Sequence, residues 1–67
     1  MKWQKIFSDA LEYRVQIVHD VLDDHGIKSV VVNKQISAHN LGLFELQVAP
    51  DNVIRAIKII ADDISFK

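Results

Sequence analysis

A small two-layer α+β domain is the fold class this sequence predicts, and three observations predict it. The hydrophobic period changes once inside Gly42–Ala61: Phe44, Leu46 and Val48 alternate with Glu45 and Gln47, and beyond Ala49-Pro50-Asp51 the residues Val53, Ile57 and Ile60 recur at helical spacing. An earlier stripe, Leu11, Val15, Val18 and Leu22, follows i, i+4, i+7, i+11 and marks a first amphipathic helix. Between the two lies a β-branched run, Ser29-Val30-Val31-Val32-Asn33, that reads as a strand.

Taken in order, Trp3 to Phe7 is rich in apolar and aromatic residues and is expected to be the first strand. Alternation puts Trp3 and Phe7 on one face and Ile6 on the other. Ser8-Asp9 looks like a helix start. Asp9 as N-cap with Glu12 three residues on has the capping-box pattern, and both carboxylates suit the positive end of the helix. Ile17 and Val21 widen the apolar stripe, while Glu12, Gln16, Asp20 and Asp23 fall mainly on the other side. Gly26 is placed to stop the helix in the left-handed conformation, with Ile27 supplying the hydrophobic contact of such caps.

In the second strand three consecutive valines must point to both faces of the sheet. Lys34 to Leu41 has no period and is expected to be a loop, long for a hairpin connection. The third strand runs from Leu43 to Ala49, with Phe44, Leu46 and Val48 facing inward and Glu45 and Gln47 on the open face. Pro50 blocks its continuation, and Asp51 is the expected N-cap of the second helix. That helix is expected to bury Val53, Ala56, Ile57, Ile60 and Ala61 and to expose Arg55, Lys58 and Asp62. Ile64 and Phe66 alternate with Ser65 and Lys67, as in a short fourth strand or a tail folded onto the core. The order is β-α-β-β-α, and its natural packing is a sheet with both helices on one face, the ferredoxin-like plan. A right-handed crossover makes the first two strands parallel and leaves room for the third between them.

The chain has 67 residues, room for one domain, expected to be a single unit over 1–67. A domain this short buries roughly 60% of its unfolded surface and is marginally stable. Disulfides, a metal or self-association are the usual reinforcements. The chain has no cysteine, which removes disulfides and thiolate metal sites and makes self-association the expected reinforcement. Hydrophobic residues make up 49% of the chain, enough for a packed core. Eight Lys/Arg against nine Asp/Glu leave a formal charge of −1, too little to draw in nucleic acid or an anionic membrane. No stretch approaches the eighteen or so apolar residues of a membrane span, and the N-terminus lacks an apolar run of signal-peptide length. A soluble cytoplasmic protein is expected.

The densest polar cluster is His19-Asp20-Val21-Leu22-Asp23-Asp24-His25. His19 and Asp23 are one turn apart, a spacing that suits a metal ion, but no second cluster offers the remaining ligands. A solvated outer face is the stronger reading, with His25 near the helix C-terminus. His39 beside Asn40 in the long loop has no committed acid, nucleophile or oxyanion donor. No serine has a Gly-x-Ser-x-Gly context, and two glycines cannot build a phosphate loop. Glu45 and Gln47 make a poor stacking platform for RNA. No catalytic residue, metal or cofactor is therefore expected. The candidate ligand or partner loop consists of Asn33, Lys34, His39 and Asn40, since long loops often carry function in small domains.

Phe7-Ser8-Asp9, the helix around Val15 to Leu22, Gly26-Ile27, Val32-Asn33-Lys34, Glu45-Leu46-Gln47-Val48, Pro50-Asp51 and Ala56 together resemble a family of small bacterial domains described as prokaryotic signal-transducing proteins. The resemblance covers about Trp3 to Ile60. It implies a ferredoxin-like fold and a non-catalytic, regulatory role, and it transfers no active-site residue. Some relatives look as if they carry an added cysteine-rich zinc segment, which a chain without cysteine cannot reproduce. The leading expectation is a binding or regulatory module acting as a homodimer, with a protein partner or a small-molecule ligand. The alternatives are a small-ligand sensor with Lys34 to Gly42 as its lid, and an enzyme whose site is assembled at a dimer interface.

Overall fold

The structure is a computed structural model that describes residues 2–34 and 43–64. The elements run β1 (Gln4–Asp9), α1 (Glu12–Asp24), β2 (Ser29–Asn33), β3 (Phe44–Val48), a 3-10 turn at Pro50–Asn52, and α2 (Val53–Asp63). The strands form one three-stranded sheet in the order β1-β3-β2. Both outer strands are antiparallel to β3, so β1 and β2 run parallel to each other with the third strand between them, as expected. No helix among the described residues is long and apolar enough to cross a membrane.

One core lies between the helices and one face of the sheet. Val15, Val18 and Leu22 of α1, Ile27, Leu46 and Val48 of β3, and Ala56 of α2 are essentially inaccessible. Leu46 stands opposite Phe7 on β1 and Val31 on β2, and all three contribute to this core. The alternate positions of β3 lie on the other face, where Glu45 stands opposite Ser8 and Val32 and Gln47 opposite Lys5 and Val30. Alternation therefore assigned the faces of β3 correctly, Phe44 included, and on β2 it is Val31 that faces the core.

On β1 simple alternation fails. The register slips between Lys5 and Phe7, so the strand carries one extra residue against β3. Two residues of a bulged strand then share one partner position, and both Ile6 and Phe7 pack against the core. The separation of Ile6 from Phe7 is corrected accordingly, and Trp3 lies before the strand, 40% exposed. The strand also runs further than expected, because Ser8 and Asp9 pair with Glu45 and Phe44. This extension displaces the helix start. Leu11 is the cap residue and makes no side-chain cap bond. Asp9 instead accepts a 2.9 Å hydrogen bond from the Leu11 N–H and one of 3.4 Å from Arg14. The expected capping box is absent, since Glu12 is the first helical residue and not the third. Leu11 and Ile17, both placed in the buried stripe by sequence, are each 43% exposed.

The end of α1 follows the sequence closely. Gly26 has φ of 77°, its N–H reaches the Asp23 carbonyl at 2.9 Å, and the Ile27 N–H reaches the Leu22 carbonyl at 2.9 Å. This pair of bonds is the Schellman motif, and buried Ile27 and Leu22 supply its hydrophobic contact. A Cβ at Gly26 would meet nothing within 4 Å, so the cost of Gly26→Ala is conformational alone. The left-handed backbone costs an L-residue about 1–2 kcal/mol. Gly26→Ala is expected to lower the unfolding free energy by that amount, moving the urea midpoint down with an unchanged m-value, which equilibrium unfolding checks.

Helical geometry at the second helix begins earlier than expected. Pro50 suits a first helical position, and the Asn52 N–H closes the turn onto the Ala49 carbonyl at 2.9 Å. Asp51 is therefore an exposed residue inside this turn, and Asn52 occupies the cap position of α2 without a side-chain bond. Ala56 sits at the middle of the buried face, flanked by Val53, Ile59 and Ile60. Successive residues turn by about 100° around a helix, which carries Ile57 off that face. Ile57 is 50% exposed and Ala61 is exposed, so the expected inner stripe is corrected by exchanging both for Ile59.

Candidate functional site

The sequence-derived candidates divide. Asn33 and Lys34 are exposed at the end of β2, where the Lys34 N–H donates to the Leu43 carbonyl at 2.7 Å and holds together the two chain ends around 35–42. His39 and Asn40 lie outside the described residues, as do most of the expected loop and Ser65 and Phe66 of the possible fourth strand. Ile64, the cap residue after α2, has extended backbone and packs against the core. No pocket is present among the described residues.

The acidic and histidine cluster does not converge. His19 Nδ1 lies 3.2 Å from Asp20 of its own helix, whereas His25 Nε2 lies 3.1 Å from Asp63 at the end of α2. Among the described residues no three His, Asp or Glu side chains are grouped as metal ligands. The His25–Asp63 contact is structural in position, since it ties together the C-terminal ends of the two helices. Both partners are nearly half exposed, so a contribution of at most about 1 kcal/mol is appropriate.

The β1–α1 junction holds a second polar group. Arg14 reaches Asp9 at 3.4 Å, and its guanidinium carbon lies 6.0 Å from the centre of the Tyr13 ring. Hydrogen bonding to the Tyr13 side chain, and then to Asp9, raises the Arg14 pKa above its ordinary value against some desolvation. Arg14 thus stays charged and braces the corner where strand becomes helix. On the open face of the sheet Lys5 approaches Glu45 at 4.0 Å, and Gln47 donates to Glu45 at 3.5 Å. Val30 and Val32 flank this pair, Val30 at 46% exposed. The Ser29 hydroxyl is buried with no hydrogen-bond partner among the described residues, a cost of about 1–3 kcal/mol.

The largest apolar exposure lies elsewhere. Ile54 is 82% exposed and Ile57 50%, one turn apart on α2. Ala61, one further turn on, is exposed as well. At about 100° per residue these three positions fall within roughly 60° of one another. The opposite flank of α2 carries Ile59 and Asp63, and Asp63 meets His25 of α1. The Ile54–Ile57–Ala61 flank therefore points away from α1. Trp3 leads into β1 at the end of the sheet where α2 begins, since Gln4 pairs with Val48.

Sequence reasoning missed this surface by assigning Ile57 and Ala61 to the core. The signal was the breadth of the apolar arc. Val53, Ile54, Ala56, Ile57, Ile59, Ile60 and Ala61 cover more of the circumference than a helix with one buried face requires. Comparison with protein-family models, with curated proteins and with solved structures gives no match for this chain.

Proposed function

We propose that this chain is a non-catalytic, cytoplasmic binding or regulatory module that works as a homodimer on a ferredoxin-like two-layer fold. The observation that carries the reading is the pair Ile54 and Ile57, large apolar side chains left in water on α2. Full burial of an isoleucine contributes about 1.5–3 kcal/mol. That is a large sum for a chain this small to leave unused, and a partner surface recovers it. The strand order β1-β3-β2 supports the ferredoxin-like plan. The resemblance to prokaryotic signal-transducing domains agrees with a regulatory role.

Light scattering on the purified chain from micromolar to submillimolar concentration tests the dimer. The expected mass rises from 7.6 kDa to twice that value with concentration. A mass that stays at 7.6 kDa throughout overturns the proposal.

A further inference from the structure

We infer that the outer edge of β2 accepts an extended acidic segment of another protein as an added strand, selected by Lys28, Val30, Val32 and Lys34. The inference is independent of the self-association proposed above and gives the binding module a partner chemistry. It rests on the phase of the β2 ladder and on the charges beside it.

In the sheet β2 has a neighbour on one side only, β3. Continuing their register sets Lys34 opposite Leu43, and the Lys34 N–H bonds to the Leu43 carbonyl. Directly opposed residues of an antiparallel pair alternate between hydrogen-bonded and non-bonded. Val30 and Val32, in phase with Lys34, therefore direct their main-chain groups to β3. Ser29, Val31 and Asn33 turn theirs outward, where no described strand takes them. Such an edge is a template for another chain.

The side chains on the open face of this edge define what fits. Lys28, Val30, Val32 and Lys34 alternate with buried Ile27 and core-packed Val31. Both lysines are exposed and Val30 nearly half exposed. Two lysines thus bracket two valines along roughly 20 Å of extended chain. An antiparallel strand added here places alternate side chains opposite these four, in the non-hydrogen-bonded pairs where side chains come closest. The complement is a carboxylate, two apolar residues and a second carboxylate, each two positions apart. Main-chain bonds give an added strand its affinity and the alternate side chains its specificity.

The chain does not meet this need itself. Glu45, the acidic residue of β3, is approached by Lys5. Lys28 and Lys34 have no carboxylate partner among the described residues. A second copy of β2 is disfavoured by the same two lysines. The antiparallel register that pairs all five residues centres on Val31 and sets Lys28 opposite Lys34 at both ends, and like charges directly opposite are destabilising. Edge lysines commonly guard a strand against pairing with its own kind. Here they repel a copy and attract an acidic strand, so one pair of charges both rejects and selects.

The test uses the full chain and a fluorescein-labelled peptide with glutamate at its first and seventh positions, valine at its third and fifth, and threonine between. Fluorescence anisotropy at low salt is expected to show saturable binding. Lys28→Glu/Lys34→Glu is expected to bind this peptide about tenfold more weakly and to prefer a version ended in lysine. Both positions are exposed, so the variant is expected to keep the wild-type circular dichroism spectrum. Amide exchange separates the edge from the face: bound peptide should slow exchange at Val31 and Asn33 and leave Val30 and Val32 unchanged. Absence of saturable binding overturns the inference, as does a reversed variant with the wild-type preference. Peptide binding without protection at Val31 overturns the added strand. Oligothymidylate held by these lysines more tightly than the peptide assigns the surface to nucleic acid and overturns the acidic partner. None of these outcomes bears on the dimer, which light scattering reads without peptide.

Discussion

Leu46→Ala is expected to remove most of the stability of this chain. Leu46 is fully buried on the central strand, opposite Phe7 on one side and Val31 on the other. Beneath the helices it shares one core with Val15, Val18, Leu22 and Ala56. Truncating a buried leucine to alanine costs about 2–5 kcal/mol, the upper end applying where the site cannot collapse. Collapse is difficult here, because β3 is held on both edges by its ladders and cannot move toward the helices alone. At about 0.05–0.15 kcal/mol per residue, a chain this long has a total stability of roughly 3–10 kcal/mol. Against a total near the low end of that range the substitution unfolds the domain, and against one near the high end it still takes a large share. Urea unfolding followed by circular dichroism measures the loss. Val30→Ala is the matched control, since Val30 lies half exposed on the open face and is expected to cost well under 1 kcal/mol. A Leu46→Ala midpoint close to that of the control would mean that the core does not close over β3.

The contrast between these two positions shows how much of the fold was legible in the sequence. Period-two alternation assigned Leu46 and Val48 to the core and Glu45 and Gln47 to the open face, because β3 is regular and paired on both sides. The end of α1 was legible for a different reason. Gly26 is one of only two glycines in the chain, and a left-handed backbone there needs no tertiary contact to explain it. The errors share one cause. The β1 bulge, the two-residue extension that draws Asp9 into the sheet, and the rotation of α2 are all decided by packing between elements. None changes the local propensity of any residue. The bulge sends both Ile6 and Phe7 inward where alternation separates them. Ala56 on the sheet turns α2 so that Ile59 is inside and Ile57 outside, a choice between neighbouring isoleucines that composition cannot make.

The candidate site was less legible than the fold, and the helix rotation explains why. A broad apolar arc on α2 is compatible with one wide core contact or with two narrow contacts on different partners. Sequence pattern favours the first because it counts only hydrophobic positions. Arg55 early and Asp62 and Asp63 late run against the dipole of their own helix, a conflict between local and higher-level order. Such conflicts persist where another requirement outweighs them. The loop positions Asn33 and Lys34 show no comparable conflict. They are exposed polar residues at a strand end, as the end of almost any strand provides.

Ile54→Glu is expected to separate assembly from stability, moving the two in opposite directions. Ile54 is the second residue of α2 and 82% exposed, so its removal takes little from the monomer core. A glutamate there faces the positive end of the helix dipole, where a carboxylate contributes about 0.3–1 kcal/mol. It also replaces a β-branched side chain with one of better helix propensity. The monomer is therefore expected to unfold at the same urea concentration or slightly higher. Association should respond in the contrary sense. In a dimer that covers Ile54 the introduced carboxylate would be an uncompensated charge within the apolar contact. Burying such a charge, or bending the helices apart to keep it wet, is expected to weaken the dimer at least tenfold, about 1.4 kcal/mol. Sedimentation and urea unfolding on the same preparation read both quantities. Loss of stability together with loss of the dimer would mean that Ile54 packs inside the protomer. Unchanged association would place the interface off α2, with the half-exposed Val30 on the open sheet face as the next surface to vary. A more stable monomer that no longer pairs leaves Ile54 one role, a side chain retained for a partner and not for the fold.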